Sequence, residues 1–177
     1  SVFAATNSVS IYLRDIDANS DTLVATYSRA QLEDTDTFTI NKYNYSAVTC
    51  DDPPAYKCYT AKGPELQEVL TKALVGSGNI LSDVGDIKIT SSDNYSKTIA
   101  KSLLLADNRY YFEEGNDQHV YAVPAILATS YAGGADVEDG SLSSKGTLRN
   151  FYGQTYSGDY IINNFIKDIA TITVYVP

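Results

Sequence analysis

Apolar and polar residues alternate along SVSIYL (8–13), which predicts a strand. The polar stretch RDIDANSDT (14–22) predicts a turn, and LVATYS (23–28) resumes as a strand. In SRAQLED, Ser28 is a candidate N-cap for a short helical pattern with Leu32 facing inward. DTFTINKYNYSAVT (36–49) alternates again and predicts a second strand pair. The clearest helix is GPELQEVLTKAL (63–74), with Pro64 at the first helical position and Glu65 in the first turn. Leu66, Val69, Leu70 and Leu74 share one side of it, and Gly76 and Gly78 end it. DIKITSS (86–92) predicts a strand followed by a DNY turn; SKTIAKSLLLAD (96–107) fits a strand running into a helical turn, or one helix. DNRYYFEEGNDQ (107–118) reads as a polar loop, and HVYAVPAILATSYAGG (119–134) as one buried strand with Pro124 near its start. After a long loop (135–146), TLRNFYG (147–153) and IATITVYV (169–176) predict strands. Strands with a few helices, not in strict alternation, predict an α+β fold of mixed β-sheets and short helices.

A length of 177 residues favours one domain, 1–177, and allows a sizeable core. Hydrophobic content of 44% against 20% charged residues predicts a globular chain. No apolar run approaches membrane-spanning length. A net charge of −9 with four arginines repels phosphate backbones and anionic membrane surfaces, which argues against nucleic acid as a partner. The chain has fifteen tyrosines, no Trp and no Met. That composition, with the opening SVFAAT, predicts a processed, exported bacterial protein located outside the cell or on its surface.

Cys50 and Cys58 are the two cysteines, with seven residues including two prolines between them. In an exported chain they predict a disulfide, which contributes about 2–3 kcal/mol for so short a loop; a metal-binding thiolate and free thiols are the alternatives. His119 has no Cys or His neighbour at zinc-ligand spacing and reads as a loop histidine. DIDANSD (15–21) mimics a calcium loop but carries Ser20 where the sixth-place glycine belongs, so an ordinary polar turn is the better reading; DVEDG (136–140) is discounted in the same way. No Ser/His/Asp set, phosphate-binding glycine loop or distinctive carboxylate pair stands out. Tyrosines cluster at Tyr43/Tyr45, Tyr56/Tyr59, Tyr110/Tyr111 and Tyr152/Tyr156/Tyr160; they fill sheet surfaces or, where exposed, stack on sugars or anchor protein partners.

Five stretches carry a resemblance to a family: KGPELQEVL, ITSSDNYS, YAVPAILATSY, KGTLR and FIKDIATITV. In this order they resemble the molybdopterin-binding domain of the sulfite oxidase family, and more closely a degenerate branch found in bacterial surface proteins. The resemblance spans 62–176. It implies that fold, and it implies that Cys50, thirteen residues before Gly63, stands where a thiolate ligates molybdenum and that Arg149 stands near the pterin. This chain departs from the family in placing Asp51 and Asp52 beside Cys50, in its scattered arginines and single His, and in lacking tryptophan. Two carboxylates beside an anionic cofactor are electrostatically adverse.

The expectation is therefore a non-catalytic structural or binding module, without cofactor, of an exported bacterial surface protein. Its partners would be the other domains of that protein, with a glycan or protein ligand in addition. The alternatives are a molybdopterin oxidoreductase domain using Cys50 and Arg149, and a tyrosine-rich carbohydrate- or protein-binding domain.

Overall fold

The alternation of residues 8–13 becomes β1 (Ser8–Asp15), antiparallel to β2 (Ser20–Ser28). The structure is a computed structural model and describes residues 8–143 and 147–177. SVFAAT, and Lys145 and Gly146 of the KGTLR stretch, lie outside the described residues. Asp15 closes the first turn, its Oδ1 accepting from the N–H groups of Asp17 and Ala18 at 2.9 and 3.1 Å. Asp21 pairs with Arg14 at 3.1 Å. Two acidic groups of the calcium-like stretch are thus spent on the turn and an ion pair.

Ser28 caps α1 (Arg29–Leu32) through a reciprocal capping box with Gln31, and Leu32 is fully buried. β3 (Ile40–Val48) then pairs with β4 (Tyr56–Pro64) across the cysteine loop. The expected second strand pair is this hairpin, whose second strand takes residues expected in the loop and the helix start.

The main helix, α2 (Leu66–Ala73), begins later than its proline suggests. Pro64 is the last residue of β4, where a missing N–H costs nothing, and Glu65 is the N-cap. The backbone N–H of Glu65 goes to Thr39 O and that of Leu66 to Ala125 O, so strand-type bonds hold the chain until Leu66. Gly63 lets β4 lie against the Leu127–Ala128 backbone: a Cβ there would come within 2.8 Å of Ala128 Cα. Leu66, Val69, Leu70 and Leu74 are buried, as the sequence pattern predicts.

β5 (Asp86–Ser91) and β6 (Ser96–Ala100) form a hairpin, and α3 (Lys101–Leu104) follows directly. This resolves 96–107 as a strand running into a helical turn. The expected polar loop at 107–118 contains β7 (Tyr110–Phe112), with Tyr111 and Phe112 buried. The expected single strand at 119–134 is three: β8 (His119–Ala122), β9 (Ile126–Ala128) and β10 (Ser130–Gly133). Pro124 lacks a ladder N–H and separates β8 from β9. β11 (Arg149–Phe151) and β12 (Ile169–Val176) complete the chain.

The strands form a five-stranded sheet β2-β1-β12-β5-β6, a three-stranded sheet β10-β4-β3, and the ribbons β11-β9 and β7-β8. Mixed sheets with few short helices match the α+β expectation. One continuous apolar core joins Ile11, Ile89 and Val174 of the first sheet to Tyr45 and Ala61 of the second and to Leu70 and Phe151. Among the described residues no helix is long and apolar enough to cross a membrane.

Leu70→Ala removes a fully buried side chain from the centre of this core. It is expected to cost about 2–5 kcal/mol in denaturant melts; a loss below about half a kcal/mol would mean that α2 does not pack as described.

Candidate functional site

The site grows out of β11, a strand of three buried residues followed by buried Tyr152. Its pairing with β9 sets Arg149 opposite Ala128 and Phe151 opposite Ile126. Asn150, fully buried, turns toward the segment after the short helical turn Ile162–Asn164. Its Oδ1 accepts from Ile166 N–H at 2.8 Å, and its Nδ2 donates to Asn164 O at 2.8 Å. Asn164 in turn donates to Tyr152 Oη at 2.6 Å. These bonds fix the 162–166 segment beside β11 although it makes no strand pairing there, since every buried polar group of Asn150 needs a partner.

Phe151 is the hub of an aromatic cluster. Its ring centroid lies 5.0–5.5 Å from those of Phe165, Tyr59, Tyr45 and Tyr131. Arg149 is laid over this cluster, its guanidinium carbon 4.8 Å from the Tyr59 centroid, 5.2 Å from Phe151 and 5.4 Å from Tyr131. Arg149 is 4% exposed, and its Nε donates to Phe165 O at 3.2 Å. No acceptor among the described residues is bonded to its Nη atoms, and no carboxylate pairs with it. The three other arginines each have one: Arg14 with Asp21, Arg29 with Glu33 and Arg109 with Asp159.

Arg149 opens into a cavity of about 370 Å³ whose wall also contains Tyr59, Ile162, Asn163, Phe165, Asp93 and Lys167. Lys167 is exposed and has no ion pair among the described residues. Asp93 belongs to the DNY turn; it accepts from Ser91 Oγ and from Tyr95 N–H, and these bonds hold its carboxyl below the usual range. An adjoining hollow shares Ser91, Asp93 and Lys167 and adds Asp168, which accepts from Ser92 Oγ.

Cys50 stands exposed in the β3–β4 loop, and Asn163 Nδ2 lies 4.0 Å from its Sγ. The fold therefore brings Cys50 to the rim of the cavity that Arg149 lines. Asp51 and Asp52 stand beside it, exposed. The two cysteines are separate thiols, not the expected disulfide. The reason is the ladder: Cys58 pairs with Ser46, and the bonds run on to Thr49 N–H and Ala55 O. Three to four rungs at about 3.3 Å each separate the two positions, beyond the roughly 7 Å limit for a bridge.

Cys58 is half-buried between the hydroxyls of Tyr56 and Tyr111, and burial pushes its thiol up. Burial likewise raises Tyr56, and pushes Tyr111 up to about 12. Tyr111 is 6% exposed and cannot serve as a sugar platform. Tyr156 and Tyr160 are exposed, on a turn tied down by Asp159, which accepts from Thr155 and pairs with Arg109. His119 opens β8 rather than a loop and stacks on Tyr110 at 4.0 Å. Of the DVEDG stretch, Asp139 pairs with Lys42 and Lys62, and Asp136 accepts from Asn44. No group of three or more metal-ligating side chains occurs among the described residues.

Sequence reasoning singled out Arg149 but missed Tyr59 as its platform, Asn150 as the pin of the cavity wall, and Lys167. The aromatic–Arg–aromatic grouping is assembled from β4, β10, β11 and the 162–166 segment, and no local pattern announces it.

Thiol titration should count two thiols in unfolded, unreduced protein. In the native protein Cys50 should react first; Cys58 should lag and need a higher pH, because its raised pKa leaves less thiolate at any given pH. Absence of free thiol in the unreduced, unfolded chain would contradict the β3–β4 register.

No protein-family model and no curated protein sequence matches the chain.

Proposed function

We propose that this chain is a non-catalytic binding module of an exported bacterial surface protein, and that the Arg149 cavity is its binding site. The observation that carries the reading is the state of Arg149: a buried guanidinium, held by rings and one carbonyl, that opens into a cavity without a carboxylate partner among the described residues. Buried charges are ordinarily paired. An unpaired one in a partly apolar hollow of small-molecule size is a recognition group.

The fold reading remains the sulfite-oxidase-type molybdopterin-binding domain, and one observation favours the oxidoreductase alternative: Cys50 stands on the rim of the same cavity. The lining does not suit a phosphate-bearing pterin. Arg149 and Lys167 supply two cations, while Asp93 sits in the same wall and Asp51 and Asp52 flank Cys50. A multiply charged anion meets repulsion from carboxylates on two sides. The module therefore works without the cofactor. The exposed Tyr156 and Tyr160 support a separate contact with a glycan or protein partner.

Two measurements test this together. Protein expressed in a host that makes the molybdenum cofactor should carry no stoichiometric molybdenum. A small-molecule screen by heteronuclear NMR should give hits that shift the resonances of Tyr59, Asn163 and Lys167. Stoichiometric molybdenum lost on Cys50→Ser would overturn the reading in favour of the oxidoreductase. A screen whose hits leave the cavity untouched would remove the cavity as the binding site.

A further inference from the structure

We infer that the cavity recognises a small organic monocarboxylate with an apolar, preferably aromatic, body. This rests on the binding-module reading and names the ligand class for that site. Three features of the lining lead to it.

The first is the donor set. The Nη groups of Arg149 have no acceptor among the described residues, while Nε is anchored to Phe165 O. The buried donors without a partner are Nε and Nη2 of Arg29, so those of Arg149 are not sealed off by protein. A guanidinium fixed by one edge and by three ring faces presents its remaining edge in a set orientation. That geometry matches the two oxygens of a carboxylate. Lys167, without an ion pair among the described residues, adds a second donor on the same cavity.

The second feature is the charge balance. Within the wall itself Arg149 and Lys167 bring two positive charges and Asp93 one negative, leaving one positive charge; Asp51 and Asp52 stand outside the wall, beside Cys50 at the rim, and add to the repulsion of a multiply charged anion. Asp93 does not neutralise Arg149, with which it forms no ion pair, and its bonds to Ser91 and Tyr95 keep it ionised. A monoanion is matched by that balance. A dianion such as phosphate has one charge left facing Asp93.

The third is the apolar part of the wall. Tyr59, Ile162 and Phe165 line the cavity next to the guanidinium. A volume of about 370 Å³ is larger than an inorganic oxyanion needs and falls in the lower range of small-molecule sites. An apolar body attached to the carboxylate covers these side chains and excludes water from the ion pair, which strengthens it.

The test uses 3-phenylpropionate as probe against the native chain, followed by NMR shifts of cavity residues. Its neutral isostere 3-phenylpropionamide, acetate and sulfate serve as comparisons. The expected result is binding of 3-phenylpropionate at least about tenfold tighter than of the amide, since a charge-assisted pair is lost. Acetate and sulfate should bind more weakly than the probe, and added salt should weaken the probe but not the amide. Lys167→Gln, at an exposed position that leaves the core intact, should weaken the acid several-fold and leave the amide unchanged. Arg149→Gln, if folded, should abolish the preference for the acid. Equal binding of acid and amide would overturn the carboxylate assignment while leaving a binding module. Sulfate binding as tightly as the probe would overturn it in favour of an inorganic-anion site. No shift at the cavity with any probe would overturn both the assignment and the proposed function.

Discussion

A buried guanidinium with no counter-ion among the described residues is the constraint around which this half of the molecule is arranged. Taking an ion out of water costs several kcal/mol even after relaxation. A desolvated cation–π contact returns about 2 kcal/mol or more, and a hydrogen bond to a charged group about 1.5–3 kcal/mol. Arg149 has both, from Tyr59, Phe151 and Tyr131 and from Phe165 O. Those contacts require four separate segments to meet: β4, β10, β11 and the chain after Ile162–Asn164. Asn150 holds the last of these in place, and Phe151 fills the space beneath the rings. The site and this half of the core are one construction.

Arg109 shows what a purely structural arginine looks like in the same chain. It is 5% exposed and lies 5.0 Å from the Tyr152 ring, so its surroundings resemble those of Arg149. Its donors, however, are used up: Nε and Nη2 go to Leu103 O, and Nη1 goes to Gly153 O and to Asp159. It ties the Tyr156–Tyr160 turn to α3 and offers nothing to a ligand. The difference between the two arginines is one carboxylate and one further carbonyl, and it separates a brace from a recognition group.

Local signals were legible where the local rule decided the outcome. The Ser28 N-cap, the apolar side of α2 and the strands β1, β5 and β12 all follow from periodicity and capping. The signals failed where tertiary pairing overrode them. Pro64 reads as a helix start, but Ile40 pairs with it and prolongs β4. Tyr110–Phe112 reads as loop because it is short and flanked by charges, yet β8 pairs with it and buries Tyr111 and Phe112. The cysteines read as a disulfide because sequence distance is small, whereas the strand ladder sets them apart along β4. Arg149 could be marked as a candidate from its sequence context; that no carboxylate among the described residues pairs with it, while Asp21, Glu33 and Asp159 pair with the other arginines, is a tertiary fact that no stretch of sequence states.

The most direct measurement is a high-resolution crystal structure of the chain grown with and without 3-phenylpropionate, read at Arg149. Without the acid the Nη atoms should meet ordered water or a solvent anion; with it a carboxylate should take their place while Tyr59 and Phe165 hold still. A protein carboxylate, such as Asp93 or Asp168, bonded to the Arg149 Nη atoms in the free protein would contradict this, because the charge would then already be satisfied.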